Sequence, residues 1–278
     1  MNNSRRLFVA QLGALPLLAW ADAPVRIGLT PVFLDERSGF LGRFRLYLEA
    51  AIGRSVEFVQ RRSYADIVEK LLNGTIDTAW ICGYPYVQHK AVMQLIAVPV
   101  YQGTPTYHSY IIAGTSIPDA RTFTDLKGSV FAYSDPLSNS GYLYAQSLLA
   151  SLNVKDSTYF RKHFFTFGHQ SVIRAVAQGL ANAGSVDGYV WDSLAALSDS
   201  STKATRILST SEAAGFPPFV ALKSLDSHLA ERLRTAFQTM HETEGGRQLL
   251  GELRLDSFCS GTPAQFASIE ATMHRVGL

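Results

Sequence analysis

From Val25 onward the chain repeats one pattern: short apolar runs alternate with longer amphipathic stretches. "VRIGLT" (residues 25–30), "VEFVQR" (56–61), "DTAWICG" (77–83) and "QLIAVPVY" (94–101) are strand-length. Between them stand "GFLGRFRLYLEAAIG" (39–53), "SYADIVEKLLNG" (63–74) and "YPYVQHKA" (84–91), whose apolar residues recur at helical spacing. Ser63 is placed to cap the second of these helices. Strands regularly interleaved with helices predict an α/β fold built on mostly parallel sheets.

A second series starts at "YHSYIIAG" (107–114). It continues through strand "GSVFAYS" (128–134), a helix over residues 140–151, strand "HFFTFG" (163–168), helix "SVIRAVAQGLA" (171–181) and strand "SVDGYVWD" (185–192). "RILSTSEAAGFPPFVALK" (206–223) reads as a return segment, where Pro217 and Pro218 suit a stiff extended connection. The rest of the chain is expected to be helical. In such sheets ligands gather beyond the carboxyl ends of strands. The candidate places are therefore Thr30-Pro31, Cys82-Gly83-Tyr84, residues 134–141, residues 168–171 and the loop after "DGYVWD". The third is the richest: "SDPLSNSGYLYAQSLLA" (134–150) crowds Asp, Asn, Gly and three serines ahead of a helix. Such residues cap helix N–H groups, and the same groups can cradle an anion.

The first 21 residues carry Arg5-Arg6, an apolar run and Ala19-Trp20-Ala21, the form of an export signal cleaved after Ala21. "SRRLF" fits the twin-arginine route, and an Arg pair also precedes ordinary export signals. Cleavage leaves about 257 residues, 47% apolar over the whole chain, enough for one large domain or two lobes. It removes two of 25 basic residues and none of 23 acidic ones, so the formal charge falls to zero. No basic stripe points to nucleic acid or anionic lipid. Cys82 and Cys259 have no metal spacing, and their distance in sequence says nothing of pairing. No cofactor or metal is expected.

The order of "SYADIVEKLLNGTIDTAWICGYPYV", "DPLSNSGYLYAQSLL" and "GHQSVIRAVAQGLANAGSVDGYVWDS" resembles the periplasmic phosphonate-, phosphite- and phosphate-binding proteins of ABC transporters. The resemblance implies a two-lobed type II binding-protein fold that clamps a small oxyanion between lobes and delivers it to a membrane permease. It implies lobe 1 from residues 22–107 and 215–278 and lobe 2 from 108–214, with crossovers near 107–113 and 207–221. Carried over residue by residue, the family's hydroxyl triplet falls on Ser138, Asn139 and Ser140, followed by Gly141. Asn139 stands where relatives often have Thr. Tyr64 matches an aromatic at the start of the second helix, Tyr84 a pocket residue with Tyr86 beside it, and His169 a histidine after a second-lobe strand. Asp192 is the acidic candidate for holding an ammonium group.

Cys82 departs from the family's usual pattern, which more often has a small or neutral residue there. Some relatives that sense arsenite place a cysteine in this pocket, so an alternative is a sensor of an arsenic oxyanion acting through a membrane sensor kinase. A further class is an enzyme with Cys82 as nucleophile, His169 as base and Asp192 orienting it. No nucleophile-elbow, zincin or Walker motif supports it. The expected state is a periplasmic monomer.

Overall fold

The computed structural model describes residues 23–30 and 38–278. The expected export signal, and Pro31 of the first candidate loop, lie outside the described residues. The first alternating series runs β1 (Val25–Leu29), α1 (Ser38–Ile52), β2 (Val56–Gln60), α2 (Tyr64–Leu72), β3 (Thr78–Trp80), α3 (Gly83–His89) and β4 (Met93–Val100). Through β5 (Thr106–Tyr107) the chain enters the second: β6 (Ser109–Gly114), β7 (Val130–Tyr133), α4 (Tyr144–Ser151), α5 (Asp156–Tyr159), β8 (Lys162–Phe165) and α6 (His169–Ala177). That series ends with β9 (Ala183–Asp187), α7 (Gly188–Ala196), α8 (Ser200–Lys203) and β10 (Thr205–Thr210). Return is through β11 (Ala214–Gly215) to β12 (Phe219–Leu222), α9 (Ser227–Gln238), α10 (Glu244–Leu253), β13 (Ser257–Cys259) and α11 (Ala267–Arg275).

Each series makes its own sheet, of order β13-β4-β12-β3-β1-β2 in one lobe and β10-β6-β9-β7-β8 in the other. The α/β architecture is as expected, but the sheets are mixed. Parallel pairing is confined to β2-β1-β3 and β9-β7-β8, where helical crossovers join the strands. The remaining ladders are antiparallel because β12 and β13 arrive by the return, and β6 and β10 bracket the second series. Between the sheets, β5 and β11 form a two-stranded ribbon with Tyr107 opposite Ala214, the only paired strands between the lobes among the described residues.

Aromatic packing fills both lobes. Trp80 stacks on Phe219 at 4.9 Å, and Phe219 meets Phe237 at 4.3 Å, so the returning β12 is fixed to β3 and α9. In the second lobe Phe131 stacks on Phe160 at 4.4 Å beneath the fully buried Tyr133. Each such ring withdrawn from water contributes about 1.5 to 3 kcal/mol. The carbonyls of the two prolines in the return are used: Pro217 O accepts from Trp80 Nε1 at 2.8 Å and Pro218 O from Ile81 N at 3.0 Å.

Two expectations are corrected. The strand expected over residues 185–192 stops at Asp187, whose carboxylate caps α7 by accepting from Val190 N at 3.4 Å. Gly188 permits the switch, since a Cβ there would stand 2.7 Å from His108 O. The stretch after the return is not purely helical either, because β13 adds an antiparallel edge to β4.

Candidate functional site

The hydroxyl-rich turn sits where β7 delivers the chain to α4. Its first helical turn, Asn139–Leu143, is wound as a π-helix, with Leu143 N–H reaching back to Ser138 O at 3.0 Å. Ser138 caps it, its Oγ accepting from Gly141 N at 2.9 Å. Gly141 is obligatory here: a Cβ would lie 1.7 Å from Ser134 Oγ. Ser185 Oγ donates to Ser140 O at 2.5 Å and holds the turn on β9. Ser140 itself is 1% exposed, and its Oγ makes no hydrogen bond although the Tyr107 hydroxyl is nearby. An unpaired buried hydroxyl costs free energy, and a polar ligand atom would relieve it.

Groups from the first lobe and the ribbon meet this turn directly. Asn139 N–H donates to Cys82 Sγ at 3.2 Å, and Asn139 Nδ2 donates to the Tyr107 hydroxyl at 3.0 Å. Asp135 bridges the lobes: Oδ1 accepts from Leu137 N at 2.8 Å and Oδ2 from Tyr64 N at 3.0 Å, at the start of α2. The Tyr64 hydroxyl lies 3.3 Å from His169 Nε2, while His169 Nδ1 accepts from Asp187 N–H at 3.1 Å. His169 is aimed by the turn before it, where Phe167 adopts a left-handed φ of 59° and donates its N–H to Ser134 O at 2.6 Å.

Burial dominates the electrostatics. It lowers the His169 pKa to about 3 and raises that of Cys82 to about 11 against the opposing N–H groups of Asn139 and Tyr84. Burial first, then the neighbouring acidic groups, drives Tyr64 and Tyr107 far upward. Burial raises Asp187 to about 7, with the Asp192 charge adding to it. At neutral pH the phenols, thiol and imidazole are therefore uncharged, an array of preorganised polar groups that suits an anion without a compensating cation.

Of the residues singled out in the sequence, Tyr64, Cys82, Ser138, Asn139, Ser140, Gly141 and His169 come together. Tyr84 is buried at the start of α3. Tyr86 instead packs against Phe266 at 4.8 Å. Asp192 stands apart: it lies on α7, accepts from the Tyr110 hydroxyl at 3.1 Å and lines a 680 Å³ groove with Tyr101, Gln102 and Arg254. Tyr107, Asp135 and Asp187 belong to the cluster and were not singled out. Asp187-Gly188 carried the signal for the last, an acidic cap followed by a glycine at a strand end. Both cysteines are free thiols, and among the described residues no three His, Cys, Asp or Glu side chains gather as metal ligands. No described helix is long and apolar enough to cross a membrane.

The chain is similar to known proteins. A phosphate-import protein, PhnD, of Mycolicibacterium smegmatis is 30% identical over 148 residues, which span 49% of this chain and 46% of that protein. Two solved structures share the two-lobed fold. The binding-protein component of an ABC phosphonate transporter from Pseudomonas aeruginosa has a TM-score of 0.83 at 19% identity, covering 91% of this chain and 87% of the other. PhnD1 of Prochlorococcus marinus in complex with methylphosphonate has a TM-score of 0.80 at 18% identity, covering 91% and 97%. The family model described as "ABC transporter, phosphonate, periplasmic substrate-binding protein" matches residues 27–266, and the chain belongs to that family.

Proposed function

We propose that this protein captures a small phosphorus oxyanion, a phosphonate, phosphite or phosphate, between its lobes outside the cytoplasmic membrane and presents it to an importer's permease. The Ser140 hydroxyl carries this reading: it is buried, unpaired and set in the first turn of a helix, where N–H groups and the helix dipole favour negative charge. Family membership and the likeness to a phosphate-import protein support the ligand class and the extracytoplasmic setting. Calorimetry with phosphate, phosphite, methylphosphonate and 2-aminoethylphosphonate tests it. Ser140→Ala is expected to weaken binding by about 1.5 to 3 kcal/mol, the worth of a hydrogen bond to a charged group, with little change in melting temperature. Lower melting temperature with unchanged affinity would reduce Ser140 to a structural role.

A second reading rests on Cys82, whose sulfur lies within the cluster against Asn139 N–H. A thiol at this place suits a soft ligand such as trivalent arsenic, and a sensor would use the same clamp. The raised pKa keeps the sulfur protonated and uncharged, which favours the oxyanion reading. Cys82→Ser separates the two: arsenite binding lost with the thiol supports the sensor, and oxyanion binding that survives the change supports the importer.

A further inference from the structure

We infer that His169 is a positioning residue that turns Tyr64 into a one-way hydrogen-bond donor, so that the site accepts only a ligand presenting an unprotonated oxygen to Tyr64. The inference rests on the oxyanion reading for its ligand and on local geometry for everything else. Asp187 N–H is an obligate donor, and it points at His169 Nδ1 at 3.1 Å. Nδ1 must then carry a lone pair, which leaves the ring proton of the neutral imidazole on Nε2. Nε2–H donates to the Tyr64 hydroxyl oxygen at 3.3 Å. Among the described residues no other hydrogen bond holds the Tyr64 hydroxyl, which leaves its own proton for a ligand. Tyr64 belongs to the first lobe and His169 to the second, so closure itself sets the proton's direction. In an open molecule the phenol is free to donate or accept. Once closed, the lone pair facing His169 is taken and the phenol is set to donate, so a ligand with P–OH or ammonium directed at that point would meet a donor where it needs an acceptor. The acidic groups around His169 are Asp187, whose backbone it contacts, and Asp135, which binds Tyr64 N–H. Neither carboxylate is bonded to the ring.

The test has two arms. In protein labelled with ¹⁵N-histidine, ring correlations should show His169 as one neutral Nε2–H tautomer from about pH 5 to pH 8. Tyr64→Phe should move its Nε2 proton signal and leave Nδ1 in place. An Nδ1–H tautomer, or an imidazolium titrating in that range, would overturn the inference. The second arm is a double-mutant cycle read by methylphosphonate calorimetry. His169→Ala should cost about tenfold in affinity with Tyr64 present and less than about twofold in the Tyr64→Phe background. Equal losses in both would show that His169 meets the ligand itself and would also overturn it. His169→Gln, which keeps a donor near Tyr64, should recover part of the loss and serves if the alanine variant does not fold. Should the wild type bind neither methylphosphonate, phosphite nor phosphate, the oxyanion reading fails, while the ring spectra still decide the proton's direction.

Discussion

At the residue scale, two buried titratable side chains, Asp187 and His169, joined through the Asp187 backbone N–H, oppose one another in their response to pH. Asp187 has its pKa raised from 3.8 to about 7, so the folded state holds a proton that the unfolded chain has released. Its contribution is fully present below pH 3.8 and is lost as pH rises toward about 7. His169 has its pKa lowered from 6.5 to about 3, so the unfolded chain binds the extra proton, and stability is lost as pH falls below 6.5. Between about pH 4 and 6.5 the two slopes, each about 1.4 kcal/mol per pH unit, cancel. The wild type should therefore show little contribution from this pair over that window. Asp187→Asn removes one slope and should make stability rise with pH there. His169→Gln removes the other and should make it fall. Urea unfolding at half-unit steps of pH measures both, and parallel curves for all three proteins would show that the pair does not titrate on unfolding.

The π-wound first turn of the helix that leads into α4 depends on a close approach between two small residues. A methyl group at position 141 would lie 1.7 Å from Ser134 Oγ and 2.6 Å from Ser134 Cβ, both inside contact distance. Gly141→Ala should therefore displace the turn, lowering melting temperature and abolishing oxyanion binding together. Ser134→Gly on that background removes both offending atoms and should restore part of each. Failure of the rescue would place the strain elsewhere, Ser138 Oγ at 3.0 Å being the next neighbour. The turn was legible in the sequence because its chemistry is local: Ser138, Ser140 and Gly141 cap and open a helix by their own composition. The alternation of β1 to β4 was legible for the same reason, since period and length set each element. What was not legible is what distant segments decide. The antiparallel ladders pair Phe219 with Trp80 and Phe258 with Pro99, and no local period reports such partners. Tyr107 and Asp135 join the site through bonds to Asn139 and Tyr64, which lie far off in sequence. The apolar run "GYVW" continues the strand pattern past the glycine where α7 begins, so Asp187 did not stand out as a strand-end cap.

For the whole molecule, the proposed clamp implies that affinity depends also on inter-lobe bonds outside the candidate site. The lobes are held together by Tyr64 N–H on Asp135, the Tyr64–His169 pair, Asn139 N–H on Cys82, and the Tyr189 hydroxyl donating to Leu253 O, with α11 packed against both α3 and α4. The first three line the candidate site. The last ties α7 of one lobe to the end of α10 in the other, and Tyr189 is 1% exposed. A hydrogen bond of this kind contributes about 1 kcal/mol net, and removing the hydroxyl leaves Leu253 O buried without that donor. Because the bond exists only when the lobes meet, Tyr189→Phe should destabilise the closed state and leave each lobe's core intact. Apparent affinity scales with the closed fraction, so methylphosphonate binding should weaken about fivefold although no group facing the ligand has changed. Small-angle scattering should report a smaller radius of gyration for the wild type at saturating methylphosphonate than without it. The Tyr189→Phe protein should reach the same compact radius at a higher ligand concentration. Unchanged affinity in the variant would show that the α7–α10 tie adds nothing net to the stability of the closed state; unchanged dimensions in the wild type at saturation would count against the two-lobe clamp itself.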